Sequence, residues 1–187
     1  MDDQRQGARP EYVRQALEAS LHRLGTEYVD LYQLHRPDPA APVAETLGAL
    51  QELVRMGKVR EIGCSNFSAA QLREADQATE RSGRPGFVSV QNQYSLMHRE
   101  PEAEVIPYCA QSGKAFLPYF PLANGLLSGK YRLGGPVPPG SRAEAGFGPK
   151  VFTEANLRIV ESLIEFAAAK DRSLWSWRFR GCWPGRR

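Results

Sequence analysis

The chain has 187 residues, 42% of them apolar, with 24 basic and 21 acidic side chains and a formal charge of +3. Four of the bases, Arg178, Arg180, Arg186 and Arg187, stand in the last 13 positions, where there is no acid; the other 20 bases face 21 acids, which leaves no basic patch of the kind that binds nucleic acid. No run approaches the ~18 apolar residues of a membrane span, the polar start has no apolar leader core, and Cys64, Cys109 and Cys182 show no metal-ligand spacing. A soluble cytoplasmic protein with reduced thiols, no metal and no membrane partner is expected.

Pro10 suits a first helical position, and Val13, Leu17, Leu21 and Leu24 follow at helical spacing up to Gly25, a C-terminal stop. A strand from Tyr28 to His35 is ended by Pro37 and Pro39. A second helix opens at Pro42, with Val43, Leu47, Leu50 and Val54 as its buried stripe and Gly57 as its close. The next strand runs from Val59 to Asn66. Ser68 and Gln71 then form a capping box for a third helix that fades near Ser82 and Gly83.

A third strand covers Phe87 to Gln93. The helix expected over Pro101 to Ser112 contains Pro107, which should kink or shorten it. A fourth strand, Phe116 to Tyr119, leads into a segment rich in Gly and Pro from Asn124 to Pro149. A loop of that length is uncommon in a compact domain and is more often functional or disordered. Thr153 caps a last helix carrying Leu157, Val160, Ile164 and Ala167.

The four strands begin 31, 28 and 29 residues apart, about one βα unit each. Alternation of this kind implies a parallel sheet with helices outside it. A closed (β/α)8 barrel takes about 250 residues, so the α/β fold expected over residues 1–174 is a partial TIM barrel of about four parallel strands. Beyond Leu174 the pattern fails: Trp175, Trp177 and Trp183 crowd together with the four arginines. Residues 175–187 read as an aberrant basic tail, from a frameshift, a misplaced splice or an error of gene annotation, or else as a true disordered tail.

In parallel barrels the active site is built at the C-terminal ends of the strands. His35, Ser65, Asn66, Gln93 and Tyr119 all occupy such ends. Singly, each has a plain structural reading: a hydrogen-bonded histidine, an asparagine in a turn, a rim amide, a core tyrosine. Four successive strand ends carrying such groups point to a site.

The segments Leu31-Tyr32-Gln33-Leu34-His35-Arg36-Pro37, Gly57 to Phe67 with its Gly-Cys-Ser-Asn-Phe ending, Gln91-Asn92-Gln93-Tyr94, and Tyr119-Phe120-Pro121-Leu122-Ala123 followed by Gly125 to Tyr131 resemble the aldo-keto reductase family in wording, order and spacing. The resemblance covers roughly residues 10–174. It implies a (β/α)8 barrel that moves a hydride between NADP(H) and a small aldehyde or ketone. It also assigns roles. His35 orients the substrate carbonyl. Ser65, Asn66 and Gln93 bind the nicotinamide carboxamide, and Tyr119 lays its ring on the nicotinamide. Phe120, Leu122, Asn124, Gly125, Leu126, Ser128 and Lys130 also line the cofactor, the stretch from Leu122 to Lys130 wrapping its pyrophosphate.

The departures from the family pattern matter as much. The family's general acid, a tyrosine activated by a lysine and an aspartate, lies on strands ahead of the helix at Pro10 and has no counterpart here. Tyr12, in a first helical turn, is not expected to replace it. The last strand, which holds the adenosine end of the cofactor, is likewise without a counterpart. Lys114 stands where the family tends to have an apolar residue. The expectation is a member lacking its first three strands and its last, inactive alone and prone to self-association through unpaired edge strands. The alternatives are a nicotinamide-nucleotide-binding regulatory subunit or pseudoenzyme remnant, and, last, a metal-dependent barrel hydrolase, for which His22, His35 and His98 are too few.

Overall fold

A computed structural model describes residues 7–148 and 150–174, so the tail at 175–187 lies outside the described residues. The chain falls into two compact units, one made of Met1–Asn92 and Pro101–Leu117, the other of Gln93–Glu100 and Pro118–Arg187.

The first unit alternates helices and strands: α1 (Pro10–Leu24), β1 (Val29–Leu34), α2 (Val43–Arg55), β2 (Val59–Ser65), α3 (Ala69–Ser82), β3 (Phe87–Gln93), α4 (Val105–Ser112) and β4 (Ala115–Tyr119), the last residues of β3 and β4 belonging to the second unit. The strands form one sheet in the order β1-β2-β3-β4. β1 pairs parallel with β2, and β2 with β3, with a register shift between Ile62 and Gly63. Side chains alternate across a strand. Tyr32, Leu34, Ile62, Cys64 and Val90 therefore point into one core with Val13 and Leu17 of α1, Leu47, Leu50 and Leu53 of α2 and Leu72 of α3. Each fully buried leucine there contributes about 1.5–3 kcal/mol.

The helix ends follow local chemistry. Ser68 Oγ accepts from the Gln71 amide at 3.2 Å while Gln71 Oε1 accepts from the Ser68 amide at 2.9 Å, the reciprocal capping box expected for α3. Gly25 closes α1 at φ 65°. One expectation is corrected. Leu24 is 66% exposed: at 100° per residue it falls within the arc of Val13, Leu17 and Leu21, but it is the last residue of α1. The fourth helix is shortened, one of the two outcomes expected around Pro107: a short 3-10 turn, Glu100–Glu102, stands apart, and α4 begins at Val105. That start places Pro107 in the first turn, where a backbone N–H has no intrahelical partner to lose.

In the second unit a kinked 3-10 stretch, Ala123–Ser128, precedes the long segment, and α5 covers Glu154–Ala168. Thr153 caps α5 by accepting from the Asn156 amide at 3.2 Å. Leu126, Leu127, Tyr131, Val160 and Leu174 make a second core. The long segment is tied to α5: Arg132 donates to both Glu161 carboxylate oxygens at 2.8 and 2.6 Å, and the Leu133 amide donates to Glu161 Oε1 at 2.9 Å. Among the described residues, no helix is long and apolar enough to cross a membrane, and no three His, Cys, Asp or Glu side chains gather as metal ligands would.

Candidate functional site

In the first unit, His35, Ser65 and Asn66 meet at the C-terminal ends of two paired strands. β2 ends at Ser65, and Asn66 follows with φ 62°, a left-handed conformation that asparagine tolerates better than other non-glycine residues. The turn swings the Asn66 side chain across to β1, where Nδ2 donates to the His35 carbonyl oxygen at 2.9 Å and to Ser65 Oγ at 3.1 Å. Ser65 Oγ donates in turn to the Gln91 carbonyl oxygen at 2.6 Å, and the Asn66 amide donates to the same oxygen at 3.0 Å. Asn66 is thus a turn residue whose side chain also ties the end of β2 to the end of β1.

His35 sits one residue beyond β1 with an exposed side chain. It lines a cavity of about 680 Å³ with Arg9, Tyr12, Arg36 and Asp38 among others. A second cavity of about 330 Å³ lies on the other side of Leu34 and Pro37, against Thr46, Phe67 and Gln71. Asp38 holds this region together: its Oδ2 accepts from the Ala8 amide and its Oδ1 from the Ala40 amide, both at 2.9 Å. Those backbone donors keep its carboxyl below the usual range. Tyr12 does lie in the first turn of α1, as expected, yet it shares the cavity with His35. The link is the long-range bond between Asp38 and Ala8, for which the sequence holds no signal.

The second unit carries the other expected residues. Gln93 and Tyr119 end their strands, and the Tyr94 amide donates to the Tyr119 carbonyl oxygen at 3.2 Å. The Tyr119 ring meets that of Phe120 edge-on at 5.3 Å. Phe120, Ala123, Asn124 and Gly125 all have positive φ, at 51°, 47°, 57° and 95°, so the backbone here turns its peptide planes in a way ordinary loops avoid. Asn124 and Gly125 are half-buried and Lys130 is exposed, with Lys130 Nζ 5.2 Å from the Tyr131 ring centroid. Leu126 is fully buried in the second core, and the Ser128 hydroxyl is buried as well. Gly148 was not singled out in the sequence. A Cβ there would fall 2.6 Å from Asn124 Nδ2, so only glycine lets the long segment lie against Asn124.

One cluster combines a tyrosine, a lysine and an aspartate. Tyr108 of α4 donates to Asp76 Oδ2 at 2.6 Å, and Lys114 Nζ lies 2.8 Å from Asp76 Oδ1. Burial first, and donation to Asp76 second, push the Tyr108 phenol up to about 12. The arrangement clamps α3 to α4 and to the start of β4, and it explains a lysine where an apolar residue was expected.

An open parallel α/β sheet with polar side chains at its C-terminal strand ends defines a piece of a barrel enzyme fold. The sequence model of the aldo/keto reductase family matches residues 1–180, and the chain belongs to that family. It is 46% identical over 113 residues to an aldo-keto reductase of Fusarium vanettenii, covering 60% of this chain and 30% of the relative. It is 40% identical over 124 residues to versiconal hemiacetal acetate reductase of Aspergillus parasiticus, covering 66% and 36%. Among solved structures it resembles a glycerol dehydrogenase from Gluconobacter oxydans with a TM-score of 0.76 and 28% identity, covering 94% of this chain and 52% of that one. The chain thus spans about a third of the length of these two relatives and about half of that structure.

Proposed function

We propose that this chain carries part of the nicotinamide and carbonyl site of a reductase that moves a hydride between NADPH and a small aldehyde or ketone. The observation that carries the reading is the Asn66 side chain, which bridges the end of β2 to His35 at the end of β1. In the first unit the amide carbonyl of Asn66 is an acceptor suited to the NH2 of a carboxamide, while its NH2 and the Ser65 hydroxyl proton bind His35, Ser65 and Gln91. In the second unit, taken by itself, the positive φ at Phe120, Ala123, Asn124 and Gly125 and the charge of Lys130 suit a backbone turn that approaches a pyrophosphate. NADPH, when bound, supplies the hydride. His35 donates a hydrogen bond to the substrate carbonyl oxygen, and the Asn66 bond to its backbone holds it at the cavity mouth. Gln93 and Tyr119 keep the roles that the family resemblance assigns them, whereas Leu126 contributes by packing.

The proton for the nascent alkoxide needs another group. Tyr108 is held by Asp76 with its phenol pushed upward, the opposite of what a general acid near neutral pH requires. Tyr12 faces the His35 cavity with no lysine among the cavity's described walls. These 187 residues by themselves are therefore read as non-reducing, since losing general acid catalysis alone costs about 100- to 10,000-fold. Nucleotide binding without turnover, as in a regulatory subunit, is the second reading. A reducing cytosol suits Cys64 and Cys109, both free and buried. β1 and β4, the edges of the described sheet, are open to pairing with another copy.

The test is a titration of NADPH fluorescence against the chain, with an assay on a nitrobenzaldehyde. Binding that Asn66→Ala abolishes, without turnover, is expected. No binding overturns the cofactor reading, and turnover lost in His35→Ala overturns the non-reducing one. Ultracentrifugation should find self-association at micromolar concentration; a monodisperse monomer rejects pairing through the edges.

A further inference from the structure

The sheet carries a polar row directly beneath Ser65. Gln33, Gly63 and Ser89 are register partners across β1, β2 and β3, and the next pair on the same face, two residues along, is Ser65 with Gln91. Barrel interiors are ordinarily filled by branched apolar residues, so a row of amide and hydroxyl groups calls for its own explanation.

Gln33 Nε2 donates to Gln91 Oε1 at 3.2 Å. The backbone oxygen of Gln91 is the acceptor for both Ser65 Oγ and the Asn66 amide. At the other end of the row, Gln33 Oε1 and Ser89 Oγ are sealed from solvent without a partner in hydrogen-bond geometry, and Ser89 is only 3% exposed. Both atoms converge on the bare Cα of Gly63: a Cβ there would fall 2.5 Å from Ser89 Oγ and 3.2 Å from Gln33 Oε1. A hydroxyl can turn its proton to suit, and an amide carbonyl only accepts. A turn of the Ser89 hydroxyl or the Gln33 amide beside this notch would let the sealed donor and the sealed acceptor satisfy each other at least cost.

The place is significant as well. The register of β2 against β3 shifts between Ile62 and Gly63, immediately before the pairing that sets Ser65 opposite Gln91. The buried apolar face guards against a slip of one residue, which would turn its side chains outward, while a slip of two keeps the faces and is resisted by a hydrogen-bonded row. We propose that Ser89, Gln33 and Gln91 form one relay across Gly63 that locks the β2–β3 register and so positions Ser65 and Asn66 for the carboxamide. Gln33 and Ser89 are positioning residues in this scheme, and Gly63 is the gap that lets them meet. The ligand part rests on the carboxamide reading of Ser65 and Asn66; the register part does not.

Two readouts on the full chain separate these parts. The first is amide hydrogen exchange by NMR at Asn66, against Leu72 in α3, whose amide donates to Ser68. Gln33→Met, which keeps volume and removes the amide, should lower protection at Asn66 by about tenfold and leave Leu72 unchanged. Gly63→Ala, which drives a methyl between Ser89 and Gln33, should do the same, and so should Ser89→Ala, which removes the donor. Equal losses at both amides, or no loss at all, overturn the relay. The second readout is binding of NADPH against inorganic pyrophosphate, which lacks the nicotinamide. Gln33→Met should weaken only NADPH; equal weakening of both overturns the positioning role. A wild-type chain that binds no NADPH overturns the carboxamide reading, while the exchange result still decides the register lock.

Discussion

Lys114 and Asp76 form an ion pair at 2.8 Å in which the lysine side chain is only 9% exposed and the aspartate 22%. Removing one partner of such a pair leaves a charge with little water to replace it. Lys114→Met should destabilise the first unit by about 3 kcal/mol, whereas replacing both residues by apolar ones should cost much less. Urea denaturation of the two variants checks the difference; equal losses would mean that the pair adds packing and no electrostatic coupling.

The same cluster sets an alkaline limit. The Tyr108 phenol, ordinarily at 10.0, is pushed up to about 12 by burial and then by its bond to Asp76. The folded chain holds that proton more tightly than the unfolded chain does. The stabilisation is thus complete below pH 10 and is lost as pH rises through about 12. Tyr108→Phe should flatten the fall in melting temperature over that window while lowering it at neutral pH.

At Asn66 conformation and hydrogen bonding can be separated. Asn66→Gly keeps the left-handed backbone and loses the bonds to His35 and Ser65. Asn66→Ala loses the same bonds and adds strain at φ 62°, for a further cost of about 1 kcal/mol. Equal stabilities of the two variants would show that the turn relaxes in solution.

In the second unit, Glu161 is held below its ordinary 4.5 by donation from Arg132 first and from the Leu133 amide second. A lowered folded pKa gives stability that is present above 4.5 and lost as pH falls through the folded value. The protection of the Leu133 amide, relative to its intrinsic exchange at each pH, should therefore fall on acidification. Glu161→Gln should remove that pH dependence, and an unchanged profile would place the acid response elsewhere.

The sequence showed most of the framework, because the features that build it are local. The spacing of Val13, Leu17 and Leu21, the Ser68 and Gln71 box, Gly25 and Thr153 each act within one or two helical turns. Where reading failed, distance along the chain was the cause. The tie between Asp38 and Ala8 that brings Tyr12 to the His35 cavity, the ion pair of Asp76 with Lys114, and the meeting of Gln33 with Ser89 over Gly63 join residues about 30 or more apart. The long segment after Ser128 read as functional or disordered; its anchors, Arg132 and Glu161, lie 29 positions apart and look like ordinary surface charges in isolation.

Cys64 and Cys109 offer a way to watch this molecule breathe. Both are almost wholly buried, and burial pushes both thiols above their ordinary value, so the reactive thiolate is scarce while the fold is intact. In a Cys182→Ser background, the rate at which a thiol reagent modifies them counts how often the core opens. Cys64 on β2 would time the parting of sheet from helices, and Cys109 on α4 would time the release of its own helix.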